Sequence, residues 1–458
     1  MRVIICGAGQ VGSGIARQLS GEANDVTVID NNPHIVSKLS DTLDVRCMTG
    51  NASHPDVLAE AGAKSADMLI AVTMSDEVNM VACQVGHSIF DIPEKIARVR
   101  HQSYLDPAWA DLYRDDHLPI DLIISPEIEV ARAIQRRLEV PGALDMLRFG
   151  DGKLRVISVR CEEGCPVINT PLRQLTEIFP DLNITVMGIR RDDTLIVPRS
   201  DEQMLIGDEV YFVCDVEHTD RALSVFGHET SGARSMVIVG GGNIGLILAH
   251  DLEENHPEVN LKIVEVDHDR AKYLADELTR TTVIHGSALD TDILGEVNIG
   301  LSDAVIAVSN DDEVNILSSL LAKRAGCPLA MTLVNNPTYA TLVGGLGVDV
   351  AVSPRESTVS TILRRIRRGR ILAVHSVHDG AAEIVEAEAL ETSPVVGTPI
   401  SEIKLPTGIL IGAILREEEV IIPRADTVIR AHDRVVTFVA ANAVRKLEKM
   451  FAVRLEYF

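Results

Sequence analysis

ICGAGQVG, residues 5–12, returns as VGGGNIG at residues 239–245, and both stretches place glycines at the first, third and sixth positions of one pattern. In each case a run of β-branched residues precedes and a helix-like segment follows. Self-similarity at this scale decides the architecture before any single motif does. The match continues in order: Val28-Ile29-Asp30 with Ile263-Val264-Glu265, Thr49-Gly50-Asn51-Ala52 with His285-Gly286-Ser287-Ala288, and Asp67 to Thr73 with Asp303 to Ser309. Asp76-Glu77-Val78-Asn79 then answers Asp312-Glu313-Val314-Asn315. Beyond the glycine loops, Ser125-Pro126-Glu127 recurs as Ser353-Pro354-Arg355, Gly150-Asp151-Gly152 as His378-Asp379-Gly380, PVINTP from Pro166 as PVVGTP from Pro394, and Val197-Pro198-Arg199 within Val420 to Arg424. The whole chain reads as one tandem duplication.

Within each copy, short β-rich runs first alternate with amphipathic helices, the signature of a parallel sheet wrapped by helices. A basic helix follows, Glu129 to Leu138 and Thr358 to Arg368, and then short strands broken by Asp-Gly, Gly and Pro, with the Asp-Gly pairs as hairpin turns. The fold class is α/β: two tandem Rossmann-type parallel-sheet domains, 1–140 and 233–370, each followed by a small α+β lobe, 141–228 and 371–458.

At 458 residues and 46% hydrophobic content the chain can bury a large core, and its length suggests roughly three or four domains. A net charge of −24 argues against nucleic acid, whose binding draws on basic patches that neutralise phosphates. It argues equally against adhesion to anionic lipid. Met1-Arg2 runs directly into Val3-Ile4-Ile5, so neither a signal peptide nor an N-terminal helix-turn-helix is expected. No apolar run reaches the length of a membrane span, roughly 18 residues. The expected location is the cytoplasm. The seven cysteines make no disulfide framework, and Cys161-x-x-x-Cys165, the only close pair, reads as two thiols in a turn without a bound metal.

The glycine loops carry the chemistry. The first glycine permits the tight strand-to-helix turn, the second lets backbone approach a pyrophosphate, and the third lets helix and strand pack, so helix N-terminal amides face the anion. The candidate loop residues are Gly7, Ala8, Gly9, Gln10, Val11 and Gly12, and Gly240, Gly241, Gly242, Asn243, Ile244 and Gly245. Asp30 and Glu265 end the second strands, where a carboxylate accepts the hydroxyls of an adenosine ribose. A 2′-phosphate there meets a like charge: two unit charges about 4 Å apart repel by about 4 kcal/mol at an effective dielectric of about 20, roughly a thousandfold in affinity. Exclusion of 2′-phosphorylated nucleotides is therefore expected at both loops.

Thr73 and Met74 end the fourth strand at the sheet's carboxyl edge, where open α/β sheets bind ligands, and Ser309 and Asn310 match them. Arg98 and Arg100 end the fifth strand of copy one, whereas copy two has Leu333 and Asn335, so the two sites are not equivalent. An arginine at that edge can hold a phosphate. The run Arg364-Arg365-x-Arg367-Arg368-x-Arg370, with Arg136-Arg137 in the matching place, reads either as a solvated helix face or as contact with an acidic partner.

An enzyme of this fold needs an acid or base beside the nicotinamide. No Tyr-x-x-x-Lys follows any of the six tyrosines, and the fourteen histidines show no His-Glu-x-x-His pairing. No catalytic residue and no metal ligand is assigned. The competing reading is an NAD-dependent dehydrogenase with duplicated Rossmann domains.

Taken in order, the double glycine loop, AVTMSDEVNM and AVSNDDEVNI, and PVINTPL and PVVGTPI resemble the cytoplasmic regulatory subunit of bacterial Trk potassium transporters along the whole chain. The resemblance implies two potassium-conductance-regulating modules in tandem, with NAD or NADH, or ATP or ADP, setting activity. It also implies a homo-oligomer, a tetramer ring of eight modules, held on the inner face of the membrane by a membrane-embedded potassium channel subunit. In the family pattern the loop after the third strand carries Gly-Asp, the acid near the adenine. Asn51 and Ser287 stand in that place, so adenine recognition there departs from the pattern.

Overall fold

The computed structural model describes residues 1–21, 24–114, 116–140, 142–179, 182–192, 194–228, 233–366, 371–377 and 380–451. The first Rossmann-type domain runs β1 (Arg2–Cys6), α1 (Gln10–Gly21), β2 (Asp25–Asp30), α2 (Pro33–Thr42), β3 (Arg46–Thr49), α3 (Pro55–Glu60), β4 (Met68–Ala71), α4 (Asp76–Phe90), β5 (Glu94–Arg98), β6 (Leu122–Ile124) and α5 (Pro126–Leu138). Its sheet is parallel, in the order β3-β2-β1-β4-β5-β6. Helices cover both faces, which is why Val3 to Cys6 and Met68 to Ala71 are buried without alternation. The order reverses between β1 and β4, and that switch point is where a ligand crevice forms.

A lobe follows: β7 (Asp145–Phe149), β8 (Leu154–Arg160), α6 (Leu172–Ile178), β9 (Ile184–Arg191), β10 (Thr194–Ile196), β11 (Glu209–Asp215) and α7 (Thr219–Val225). The second copy repeats the series as β12 (Ser235–Val239), α8 (Asn243–Asn255), β13 (Asn260–Glu265), α9 (His268–Glu277), β14 (Thr282–His285), α10 (Thr291–Glu296), β15 (Ala304–Ala307), α11 (Asp312–Ala325), β16 (Leu329–Leu333), α12 (Pro337–Leu346), β17 (Val350–Val352) and α13 (Pro354–Ile366). Its lobe is β18 (Ile371–Val377), β19 (Ala382–Glu388), β20 (Ile409–Arg416), β21 (Glu419–Ile421), β22 (Arg434–Ala440) and α14 (Val444–Phe451). The second parallel sheet, β14-β13-β12-β15-β16-β17, copies the first, and the antiparallel lobe sheets, β10-β9-β11-β8-β7 and β21-β20-β22-β19-β18, copy each other.

Local sequence sets the boundaries twice over. Ser75 and Asp311 accept from the amides of Val78, at 3.3 Å, and Val314, at 2.9 Å. Their side chains thereby cap α4 and α11. Both helices stop at a residue in the left-handed region, Asp91 and Gly326. Asp151, at φ 54°, turns β7 into β8, as its Asp-Gly pair predicts. Its counterpart Asp379 lies outside the described residues.

The chain divides into two compact units, Met1–Ala131 with Ser353–Leu363, and Arg132–Val352 with Arg364–Phe458. In the first, the opening turns of α13 pack on the first copy's helices: Thr361 Oγ1 donates to Glu129 Oε2 at 2.7 Å. A Cβ on Gly14 of α1 would stand 3.1 Å from Arg355 and 3.2 Å from Val359. In the second unit the two lobes share one core, in which Phe149, Leu154 and Val213 meet Val377, Ile384 and Phe438. Gly188 faces the Phe438 ring and Gly412 faces Met187, with room for no Cβ at either. Glu386 is buried there, accepting from Arg434 Nε (2.6 Å) and the Gly150 amide (3.3 Å), and Arg434 also bonds Asp151.

Candidate nucleotide sites

Gly7 has φ 104°, and a Cβ on it would strike the Thr73 amide at 2.9 Å; Gly240, φ 97°, meets Ser309 in the same way at 2.8 Å. Only glycine adopts that backbone without penalty. Gly12 and Gly245 leave no space for a Cβ against the carbonyl oxygens of Gly7 and Gly240. These glycines fix the turn and the packing of helix on strand. The middle glycines differ. A Cβ on Gly9 or Gly242 would meet nothing within 4 Å. Gly242 is the N-cap of α8 and, as a glycine, brings no side chain over the first-turn amides, the arrangement in which a helix N-terminus can take an anion. Gln10 and Asn243 are exposed beside it, while Val11 is buried and Ile244 half-buried behind the loop.

The strand-end carboxylates brace the loops. Asp30 accepts the Ala8 amide through Oδ2 (2.7 Å) and the Asn32 amide through Oδ1 (2.8 Å). Glu265 accepts from Gly241 (2.6 Å) and Asp267 (2.9 Å). Each holds the amide of the loop's second residue, which places a strand-end carboxylate directly against the glycine loop.

At the β4 edge, Thr73 and Ser309 spend their hydroxyls inside the protein, donating to Asn79 Oδ1 and Asn315 Oδ1 at 2.7 Å each. Asn79 Nδ2 reaches the carbonyls of Thr73 (3.2 Å) and Arg98 (2.9 Å); Asn315 repeats this on Ser309 (2.9 Å) and Leu333 (3.1 Å). Both asparagines are fully buried. Buried Asp76 takes the amides of Arg100 and His101 at 2.9 Å each, and Asp312 those of Asn335 and Asn336. The Asp-x-x-Asn echo is thus a clamp that ties the start of one helix to two neighbouring strand ends, β4 and β5 or β15 and β16, a role its spacing did not announce. Met74 and Asn310 are exposed at the rim.

Arg98 separates the two sites. It is 8% exposed, its Nη2 donates to the Thr73 carbonyl at 2.6 Å, and its Nε is buried without a hydrogen-bond partner. Burial first, then the neighbouring Arg100 charge, lowers its pKa. Arg100 pairs with Glu127 at 2.8 Å. Leu333, buried, occupies the Arg98 position of the second sheet.

Asn51 and Ser287 turn their side chains onto their own loops, as turn residues do. Asn51 Oδ1 accepts the Ser53 amide at 3.1 Å and Ser287 Oγ that of Leu289 at 3.2 Å. Both are exposed. Arg270, which the sequence did not single out, donates through Nε to the Gly241 carbonyl at 2.7 Å. Its signal was a cation five residues beyond Glu265 with Ile35 in the corresponding place of copy one. Arg137 of the basic helix bonds the Leu144 carbonyl and pairs with Asp145 at 3.2 Å, so it is part of the lobe rather than a solvated face. Arg367, Arg368 and Arg370 lie outside the described residues. Cys161 and Cys165 are buried in the first lobe's core, the Cys165 amide closing a turn onto Glu162 at 3.1 Å. Among the described residues no cluster of three His, Cys, Asp or Glu is placed to hold a metal, and no helix is long and apolar enough to cross a membrane.

Known proteins share this arrangement. The TrkA-N domain family matches residues 3–126 and 236–354, and the TrkA-C domain family residues 156–227 and 384–452. The Trk system potassium uptake protein TrkA of Azorhizobium caulinodans is 51% identical over 100% of both chains. Those of Halomonas elongata, 43% identical over 100% of both, and Vibrio alginolyticus, 42% over 98% of both, follow. Among solved structures, the GsuK RCK domain aligns with a TM-score of 0.59 at 18% identity, over 99% of this chain and 95% of that one. The GsuK channel bound to NAD aligns at 0.58 and 17%, over 99% and 79%, a likeness of fold. With two TrkA-N and two TrkA-C segments in tandem and full-length relatives at this identity, the chain belongs to the Trk system potassium uptake protein TrkA family.

Proposed function

We propose that this chain is the nucleotide-binding regulatory subunit of a membrane potassium-uptake system and acts by ligand-dependent change of shape, with no catalysis of its own. The observation that carries the reading is the paired cradle: two glycine loops, each open at its middle glycine and braced by a strand-end carboxylate, with unlike groups at the fifth strand. NAD or NADH, with ATP or ADP as further ligands, suits such loops. Gly7 to Gly12 with Asp30, Thr73, Met74 and Arg98 form the first site. Gly240 to Gly245 with Glu265, Ser309 and Asn310 form the second. Asn51 and Ser287 line the adenosine ends.

The working form is a tetramer ring of eight modules, divided at 1–140, 141–228, 233–370 and 371–458, on the cytoplasmic face of the membrane and attached through the channel subunit. Nucleotide does work on the channel only if it prefers one ring shape. A hundredfold preference supplies about 2.7 kcal/mol, within the usual range of allosteric coupling.

The test uses the purified chain and the membrane subunit. Calorimetric titration with NAD, NADH, ATP and ADP is expected to give two sites per chain, and affinity for the membrane subunit is expected to change on nucleotide addition. Steady NADH consumption with a metabolite would favour the dehydrogenase instead.

A further inference from the structure

Arg270 occupies an unusual place for a cation in the second site. Its Nε holds the Gly241 carbonyl at 2.7 Å while Glu265 holds the Gly241 amide at 2.6 Å, so the loop's second residue is gripped from both sides. The first site has only half of this: Asp30 takes the Ala8 amide, and Ile35 stands where Arg270 would be. The guanidinium carbon lies 4.9 Å from the centre of the Tyr273 ring, and Asp267 accepts the Arg270 backbone amide at 2.7 Å, so both the guanidinium and the backbone that carries it are held. Yet its Nη2 is buried without a hydrogen-bond partner.

A charged donor buried without an acceptor is costly, and nothing in the fold of the first copy requires one at this position. The orphan donor lies on the β13–α9 side of the loop, beside the ribose carboxylate, which is where a Rossmann-type crevice receives the adenosine half of a nucleotide. Adenosine offers ring-nitrogen and ribose-oxygen acceptors and an aromatic face, and a planar guanidinium answers both. The first site carries its under-satisfied cation, Arg98, at the far end of the crevice, on β5. The two sites therefore grip opposite halves of the same kind of ligand.

We propose that Arg270 is the specificity-determining residue of the second site and makes it a site for adenine mononucleotides, whereas the first site depends on what lies beyond the pyrophosphate. This rests on the reading of the glycine loops as nucleotide sites.

Calorimetry on the full-length protein separates the two ideas. With the first loop blocked by Gly9→Val, AMP is expected to bind within about tenfold of NAD, and Arg270→Gln to weaken AMP by roughly tenfold or more, the worth of one charge-assisted contact. With the second loop blocked by Gly242→Val, AMP is expected to bind at least about tenfold more weakly than NAD, and Ile35→Arg to narrow that gap. Unchanged AMP affinity in folded Arg270→Gln protein, or an unmoved gap in Ile35→Arg, would overturn the proposal. Absence of NAD and AMP binding in the unsubstituted protein would overturn the functional reading beneath it.

Discussion

Gly9 and Gly242 are the positions at which function and fold come apart. Neither has positive φ, and neither would meet a neighbour with an added Cβ, so Gly9→Val and Gly242→Val keep the fold while placing a branched side chain in the cradle. Nucleotide stoichiometry is expected to fall by one site in each, with thermal midpoints near the parent's. Full stoichiometry in either variant would show that its loop binds nothing. Gly7→Ala and Gly12→Ala instead strain the turn or collide with backbone and are expected to destabilise. Asp30 supports a second expectation, because its carboxylate is held against the loop by two amides. A 2′-phosphate there is repelled by about 4 kcal/mol at an effective dielectric of about 20. In the Gly242→Val protein NADP is expected to bind roughly a thousandfold more weakly than NAD; equal affinities would refute this. The glycines and the strand-end acids were legible because a glycine pattern reports backbone geometry. Thr73 was legible in place but not in use, since no spacing tells that its hydroxyl points inward to Asn79.

Between elements, the buried asparagines act as ties. Removing Asn79 or Asn315 leaves the ends of β4 and β5, or β15 and β16, with unpaired buried groups. Asn79→Ala and Asn315→Ala are each expected to lower stability by about 2–4 kcal/mol in denaturant titrations. Glu253, on α8, makes a tie that pH can cut. Burial disfavours its charge, but the amides of Thr279, Arg280 and Thr281 and the Thr281 hydroxyl outweigh that and bring its pKa down to about 2. A folded-state pKa below the unfolded value means that the ion contributes stability above the ordinary carboxylate range and loses it as pH falls toward about 2. The stability gap between the parent and Glu253→Gln, followed by chemical denaturation at each pH, is accordingly expected to be widest at neutral pH and to close by about pH 2. The elements themselves were legible from alternating β-rich and amphipathic runs that repeat in both copies. Their destinations were not. The sequence marks α13 only as a basic helix and does not tell that its opening turns lie on the helices of the other copy.

At the scale of the whole chain, the lobes behave as one body. Phe438 fills space that Gly188 leaves open and meets the core of the first lobe, so Phe438→Ala is expected to cost about 3–5 kcal/mol and to melt both lobes in a single transition. Separate transitions would show that the shared core does not couple them. Alternation in the lobe strands announces buried faces without naming the partner, which is why two lobes were expected and a fused pair was found. The regulatory reading makes its own demand: deletion of the gene is expected to impair growth at low external potassium. By linkage, the membrane subunit must change nucleotide affinity by the same factor that nucleotide changes affinity for the membrane subunit. Unequal factors in that cycle would break the scheme.

The helix that the second copy lends to the first, and the core that the lobes hold in common, also bear on heredity. A message ending after the first lobe would encode a sheet whose Gly14 groove lacks Arg355 and Val359, and a lobe whose Phe149 and Val213 face water where Val377 and Phe438 belong. Such a product is no half-strength version of the protein. A stop codon between the copies is therefore expected to behave genetically as a null allele, with the same phenotype as loss of the whole gene.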